Sequence, residues 1–245
     1  MWKDVCHGYG WYRKTIDVPE AWANKHFSLE FEGSFIETEV YLNGHKVGRH
    51  VGGYTSFSFD LTPYIHVGEN VLAVRVNNIW NARVAPRTGD HQFSGGIYRD
   101  VWLHLTDHLR VAENGTFIYT KNVSAASADV YAETELRNDF ADDKTVEVVT
   151  TLYDATGVEV ASATSSTKVK ARTATIVKQQ MKGLTSPHLW SPENPYRYKA
   201  VTRVLTVLDG SAVETDSYTT RFGIRKMVWT ADGWQRSRTP SYQTR

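Results

Sequence analysis

In two runs, 27–31 and 57–61, apolar side chains return at every second position. Phe27, Leu29 and Phe31 alternate with Ser28, Glu30 and Glu32, and Phe57, Phe59 and Leu61 alternate with Ser56, Ser58 and Asp60. A period of two places one set on each face of an extended chain, so these runs read as half-buried strands. Between them, EVYLNGHKVGRH reads as a hairpin around Asn43-Gly44, a pair that tolerates the positive φ of a two-residue turn. WYRKTIDV at 11–18 is a strand stopped by Pro19, and the PEAWANK that follows has room for one helical turn at most. After the turn His66-Val67-Gly68-Glu69-Asn70, VLAVRVNN reads as another strand. Strands recur at short spacing and no segment sustains a helical period, which is the pattern of a β-sandwich.

The composition changes near residue 110. Before it the chain is dense in Trp, Gly and His; beyond it Thr, Val, Ala and Ser dominate. VYAETEL, VEVVTTLYD, VEVASATSST, ATIVKQQ and YRYKAVTRVLTVL alternate again, with turn signals at ATG (155–157) and LDG (208–210) and a proline-braced corner at SPENP (191–195). The pattern predicts about seven strands in an immunoglobulin-like sandwich, without the Cys–Trp–Cys signature of antibody domains. The chain therefore divides as 1–109, 110–222 and 223–245. In the last part GIRKMVWTADGW reads as one more strand and a turn, and the polar remainder as a disordered tail. The fold class is all-β, two β-sandwich domains. Lys plus Arg number 28 against 27 Asp plus Glu, so the net charge of +1 gives no electrostatic footprint for nucleic acid or an anionic membrane. No run of about 20 apolar residues offers a transmembrane span. The N-terminal MWKDVCHGYGWYRK lacks the apolar core of a signal peptide. The single cysteine, Cys6, excludes an internal disulfide.

The stretch GDHQFSGGIYRDVWLHL at 89–105 is the most informative. Its first half is a loop with a Gly95-Gly96 pair suited to a sharp entry, and Ile97 to Leu105 reads as one framework strand. Arg99 and Asp100, set among apolar neighbours, are expected to form a structural ion pair. Taken with WYRK (11–14), FEG (31–33), YLNGHKVGRHVGGYTSFSFDLTPYI (41–65) and GENVLAVRVNN (68–78), SGGIYRDVWL resembles the N-terminal jelly roll of glycoside hydrolase family 2, and most of all its β-galactosidases. HLWSPENPYRY (188–198) resembles the family's following immunoglobulin-like domain, and RFGIRKMVWTADG (221–233) its crossing into the catalytic barrel.

The resemblance implies a galactose-binding-like jelly roll followed by an immunoglobulin-like sandwich. It also implies that the family's catalytic glutamates, on a barrel of roughly 250 residues, lie beyond these two domains. The acid/base glutamate follows an asparagine, and no Asn-Glu dipeptide occurs here. After Gly233 the chain reads WQRSRTPSYQTR where the family continues with an Asn-Gly-Lys turn, which implies a reading frame lost or ended near residue 234. The family also carries strands before WYRK, so the first sandwich is expected to be incomplete at its start. The chain alone is accordingly expected to be inactive.

Asp90 falls where some β-galactosidases place an aspartate that binds sodium and the galactosyl hydroxyls, so the resemblance assigns it to substrate and to a sodium or other cation. Against this stands the plain reading of a turn aspartate after Gly89. His91, with Arg87 and Gln92, shares that loop and offers polar contacts to sugar. Trp80 and Tyr54 sit in loop contexts suited to stacking on sugar C–H faces, whereas Trp11, Trp102 and Trp190 are expected in the cores. The nine histidines make no metal site: His45 and His50 bracket a turn with no carboxylate or cysteine at ligand spacing. The first reading is the non-catalytic front part of a β-galactosidase-like enzyme whose partner is a β-galactoside. The alternatives are a stand-alone carbohydrate-binding module and a structural module that forms homo-oligomers.

Overall fold

The computed structural model describes residues 7–85, 94–208, 211–230 and 233–236. The chain forms two compact units, 1–107 and 108–245.

In the first unit the strands are β1 (Tyr9–Val18), β2 (His26–Phe31), β3 (Ser34–Phe35), β4 (Glu37–Leu42), β5 (His45–Val51), β6 (Phe57–Asp60), β7 (Gly68–Asn77), β8 (Gly96–Ile97) and β9 (Val101–Thr106). The PEAWANK segment makes one 3₁₀ turn, Glu20–Trp22. One sheet runs β1-β7-β4-β5, a second runs β6-β2-β9, and β3 pairs with β8. The alternation read in β2 is realised residue by residue: Phe27, Leu29 and Phe31 are buried and the residues between them are not. They pack with Val40, Leu42, Leu72, Val74 and Val76 from the first sheet, so the two inner faces share one apolar core. The Asn43-Gly44 turn has φ of 52° and 82°, the double left-handed geometry of a type I′ hairpin. Asn43 also ties the hairpin down: its Nδ2 donates to the Tyr64 carbonyl (3.0 Å) and to Asn70 Oδ1 (2.8 Å), and its Oδ1 accepts from Val71 N–H (2.9 Å).

In the second unit the strands are β10 (Leu109–Lys121), β11 (Ser127–Asn138), β12 (Lys144–Tyr153), β13 (Glu159–Val169), β14 (Thr173–Thr185), β15 (Tyr198–Leu208) and β16 (Ser211–Phe222). A three-stranded sheet β10-β11-β14 faces a four-stranded sheet β13-β12-β15-β16, an immunoglobulin-like arrangement in which β13 has joined β12. Beyond it β17 (Met227–Thr230), within the strand expected in GIRKMVWTADGW, pairs antiparallel with β18 (Gly233–Arg236), which extends into the first two residues of the expected disordered tail; residues 237–245 lie outside the described residues. No helix among the described residues is long and apolar enough to cross a membrane.

The core of this unit holds two apolar clusters, one around Val130, Leu152 and Met181 and one around Leu136, Val148 and Val204. Buried Gln179, Thr150 and Thr202 also sit inside the sandwich. Gln179 Nε2 donates to the carbonyls of Val148 (2.9 Å) and Ala163 (3.0 Å), and its Oε1 accepts from Thr150 Oγ1 at 2.6 Å. One side chain on β14 thereby satisfies groups on β12 and β13 of the opposite sheet, in a medium where an unmet polar group is costly. Gln179→Met keeps the volume but strands those acceptors. Urea denaturation is expected to show a loss of about 2–4 kcal/mol in the second unit.

Candidate functional site

The segment that follows β7 starts from a tight anchor. Gly8 N–H donates to Asn78 Oδ1 (2.7 Å) while Asn78 N–H donates to the Gly8 carbonyl (3.2 Å), fixing where the chain leaves the sheet. Asn77 Oδ1 then accepts from Ile79 N–H at 2.9 Å, and Asn81 Oδ1 from Arg83 N–H at 2.9 Å, so asparagine side chains shape successive bends. Trp80, between them, is 60% exposed. Asp90 and His91, with Arg87 and Gln92, lie outside the described residues.

The segment returns through Gly95 and Gly96, and here the glycines have a steric reason. A Cβ on Gly95 would collide with the Asn78 side chain, and one on Gly96, at φ 80°, with the Tyr12 hydroxyl. Ile97 then pairs with Ser34. The expected continuous strand from Ile97 to Leu105 is broken at 98–100, because Tyr98 turns aside into a seat made by two more glycines. Its N–H donates to the Gly33 carbonyl (3.2 Å), its hydroxyl donates to the Gly53 carbonyl, and its ring leaves no room for a Cβ on Gly33, which would stand 2.6 Å away. Arg99 and Asp100 lie in that break, both exposed, and no ion pair joins them. Water solvates each charge, so the burial that would have demanded a pair is missing. Tyr54, next to Gly53, is 61% exposed and meets Phe35 edge-on at 5.7 Å. Nearby His50 stacks on Phe57 at 3.9 Å; burial, opposed in part by the Gly52 backbone, holds its imidazole below the ordinary histidine range.

Two tryptophans expected in the core face water instead. Trp11 is 56% exposed on the outer face of β1, opposite Arg75, whose guanidinium lies 4.8 Å from the Tyr9 ring centre and 5.9 Å from that of Trp11. Trp102 is 51% exposed on the outer face of β9, its indole N–H donating to Glu32 Oε1 at 3.0 Å. Trp190 is half-buried in the second unit, beside Arg225 and a shallow cleft of about 460 Å³ whose walls include Ile118, Tyr119 and Phe222. No carboxylate among the described residues lines that cleft.

The acids explain what the site can do. Glu39, nearly buried on β4, meets Lys46 at 2.6 Å and Arg75 at 2.5 Å and accepts from the Tyr41 hydroxyl at 3.0 Å. The hydrogen bond from Lys46, aided by Tyr41 and Arg75 and opposed by burial, holds its pKa below the ordinary glutamate range. Glu37 is lowered too, first by its bond to Arg49. Asp129, Asp139, Asp143 and Asp154 are all displaced downward as well. A glycosidase acid must hold its proton near neutral pH, which requires a carboxyl displaced upward. Among the described residues, every carboxylate with a displaced pKa is displaced the other way. Nor does any group of three or more His, Cys, Asp or Glu among them gather as a cation site.

The model of the sugar binding domain of glycosyl hydrolases family 2 matches residues 4–107, and a second model of the same family matches residues 110–225. The chain belongs to glycoside hydrolase family 2. It is 40% identical over 220 residues to a β-galactosidase of Bacteroides ovatus, covering 89% of this chain and 25% of that protein. It is 33% identical to a β-glucuronidase of Formosa agariphila, covering 92% and 24%. The crystal structure of a Bacteroides uniformis β-glucuronidase superposes with a TM-score of 0.85 at 31% identity, over 93% of this chain and 27% of that one. The chain thus spans about a quarter of the length of these relatives. Its described residues make the family's two sandwiches and contain no (β/α)₈ barrel.

Two outcomes test this reading. Gly33→Ala should dislodge Tyr98 and cost about 2–3 kcal/mol in the first unit, while Tyr98→Phe, which loses only the hydroxyl bond, should cost about 1 kcal/mol; thermal melts separate them. The Glu39 ion pairs should be fully present above the unfolded glutamate value of 4.5 and fade as pH falls through the lower folded value. Glu39→Gln should therefore flatten the acid limb of the first unit's stability profile, measured by urea titration at successive pH values.

Proposed function

We propose that these residues are the non-catalytic sugar-binding and bracing part of a retaining hydrolase of terminal β-galactosides. The observation that carries the reading is the match of two family models to residues 4–107 and 110–225, with no (β/α)₈ barrel among the described residues. Such a body can position and support, and the proton donor of a glycosidase must come from a barrel. Relatives named β-galactosidase and β-glucuronidase support a pyranoside substrate. The higher identity to the Bacteroides ovatus β-galactosidase favours the galactoside.

In this reading the loop after Asn78 is the chain's contribution to the sugar. Trp80 offers a ring face to pyranose C–H groups, His91 and Asp90 accept or donate to hydroxyls, and Asp90 also serves a sodium or similar cation in the complete enzyme. The anchored ends support the assignment. Asn78 at the exit, and Gly95 and Gly96 at the return, hold the base of the loop.

The purified chain is expected to hydrolyse no chromogenic β-galactoside above the buffer rate, and turnover would overturn the proposal. Titration calorimetry with galactose should give a Kd of about millimolar or weaker, because only part of the site is supplied. Tight binding abolished by Trp80→Ala would instead favour the stand-alone carbohydrate-binding module. Replacing the matching region of the Bacteroides ovatus enzyme with residues 7–225 should restore hydrolysis. In that chimera Asp90→Asn should lower kcat/KM by about tenfold or more.

A further inference from the structure

We infer that His50 is a positioning residue that works only when neutral. Neutral, it holds the turn that seats Tyr98; on taking a proton it leaves the sandwich and lets that turn open. His50 stands on β5 opposite Thr38, which is buried on the inner side of the sheet. Its ring lies on Phe57 of the other sheet, 3.9 Å between centres and 12° from parallel, and Phe57 in turn lies on Phe31 at 5.0 Å. Nε2 is buried there with no hydrogen-bond partner among the described residues. A polar atom left unmet beside an aromatic stack calls for a reason, and a proton-dependent role supplies one.

Two residues on, the chain bends past this ring. Gly52, at φ 147°, comes so close that a Cβ would stand 3.2 Å from His50 Nε2, and its N–H donates to the Ile36 carbonyl at 2.8 Å. Gly53 follows, pressed so tightly on Phe35 that a Cβ would collide with the ring. The Gly53 carbonyl accepts the Tyr98 hydroxyl, while Tyr98 N–H donates to the Gly33 carbonyl at 3.2 Å. Gly52 to Ser56 belong to no strand, so no ladder holds this turn in place. Gly52 and Gly53 thus link the imidazole directly to the Tyr98 seat.

A neutral imidazole suits this place and a cation does not. The charge would gain a little from the Phe57 face, but it would lose its water and add an N–H without an acceptor, and that loss is the larger. Ionisable side chains on the neighbouring strands turn away from it. Glu37 pairs with Arg49 and Glu39 with Lys46 on the outer face of the first sheet. Glu30 meets His104, Glu32 meets Trp102 and Asp60 meets His26 on the outer face of the second. Burial accordingly holds the imidazole below the ordinary histidine value of 6.5, with the Gly52 backbone opposing in part. Opening frees the ring to bind a proton at its ordinary value, so the closed turn is fully favoured above pH 6.5. It loses about tenfold per pH unit as the pH falls from there toward the lower folded value. The seat is built whether or not the adjoining loop meets a galactoside.

Native-state hydrogen exchange on the full chain, from about pH 7.5 down to about pH 5, reads the opening at single amides. Protection at the Gly52 and Tyr98 amides, corrected for intrinsic exchange, should fall together by about tenfold per pH unit below 6.5. The Asn43 amide, bonded to the Val71 carbonyl at the far end of β5, should keep its protection. His50→Phe keeps the stack and removes the proton, so both amides should become independent of pH. If that variant does not fold, the comparison with Asn43 in the unaltered chain still decides. Tyr98→Phe weakens the closed turn, so by reciprocity the His50 midpoint, read from its ring Cε1–H resonance, should rise toward 6.5. Protection at Gly52 and Tyr98 that ignores pH, a fall shared by Asn43, a dependence that survives His50→Phe, or a midpoint unmoved by Tyr98→Phe would each overturn the inference.

Discussion

A strand whose side chains alternate between core and water buries one face only, and everything else in this chain follows from covering that face. In the first unit Phe27, Leu29 and Phe31 of β2 are covered by Val40, Val74 and Val76 of the opposing sheet. Each such residue contributes on the order of 1.5–3 kcal/mol by leaving water. The turns, the glycines and the polar ties are what let the sheets come close enough. Gly48 and Gly53 are absent a side chain where the Phe59 and Phe35 rings press on the backbone. A Cβ at either position would push the two layers apart.

The same constraint divides framework from site. Residues locked by core packing or by ladder pairing are poorly free to meet a ligand, and Ile79 to Ala85, just after Asn78, belong to no strand. The segment is held at its base by Asn78, Gly95 and Gly96, and its tryptophan stands in water. The ionised acids are engaged elsewhere: Glu39 and Glu37 in lateral pairs across the outer sheet face, Asp139 between Arg110 and Arg137. Those pairs lower their carboxyl pKa values and remove them as proton donors.

Much of this was legible in the residues. The type I′ turn at Asn43-Gly44, the 3₁₀ turn after Pro19 and five of the second unit's strands, β11 to β15, follow from turn chemistry and period-two alternation. The misplaced tryptophans were legible too, had phase been weighed above residue type. Ile16 and Val18 belong to the inward set of β1, which puts Trp11 outward, and Leu103 and Leu105 do the same for Trp102. Gln179 announces itself less openly. It holds an inward position between Val177 and Met181, but its partners Val148, Thr150 and Ala163 lie on two other strands.

The sequence by itself therefore determined the local geometry: which residues extend, where the chain turns, which face of each strand is apolar, and the family to which the motifs belong. These are properties of a few adjacent residues and their sterics. Only the tertiary structure decided that Tyr98 breaks the Ile97–Leu105 run, since its seat is built by Gly33 and Gly53, remote in sequence. It alone left Arg99 and Asp100 solvated and gave Glu39 its three partners. It alone set β9 beside β2 rather than beside its sequence neighbour β8. Pairing between distant segments has no signature in either segment alone.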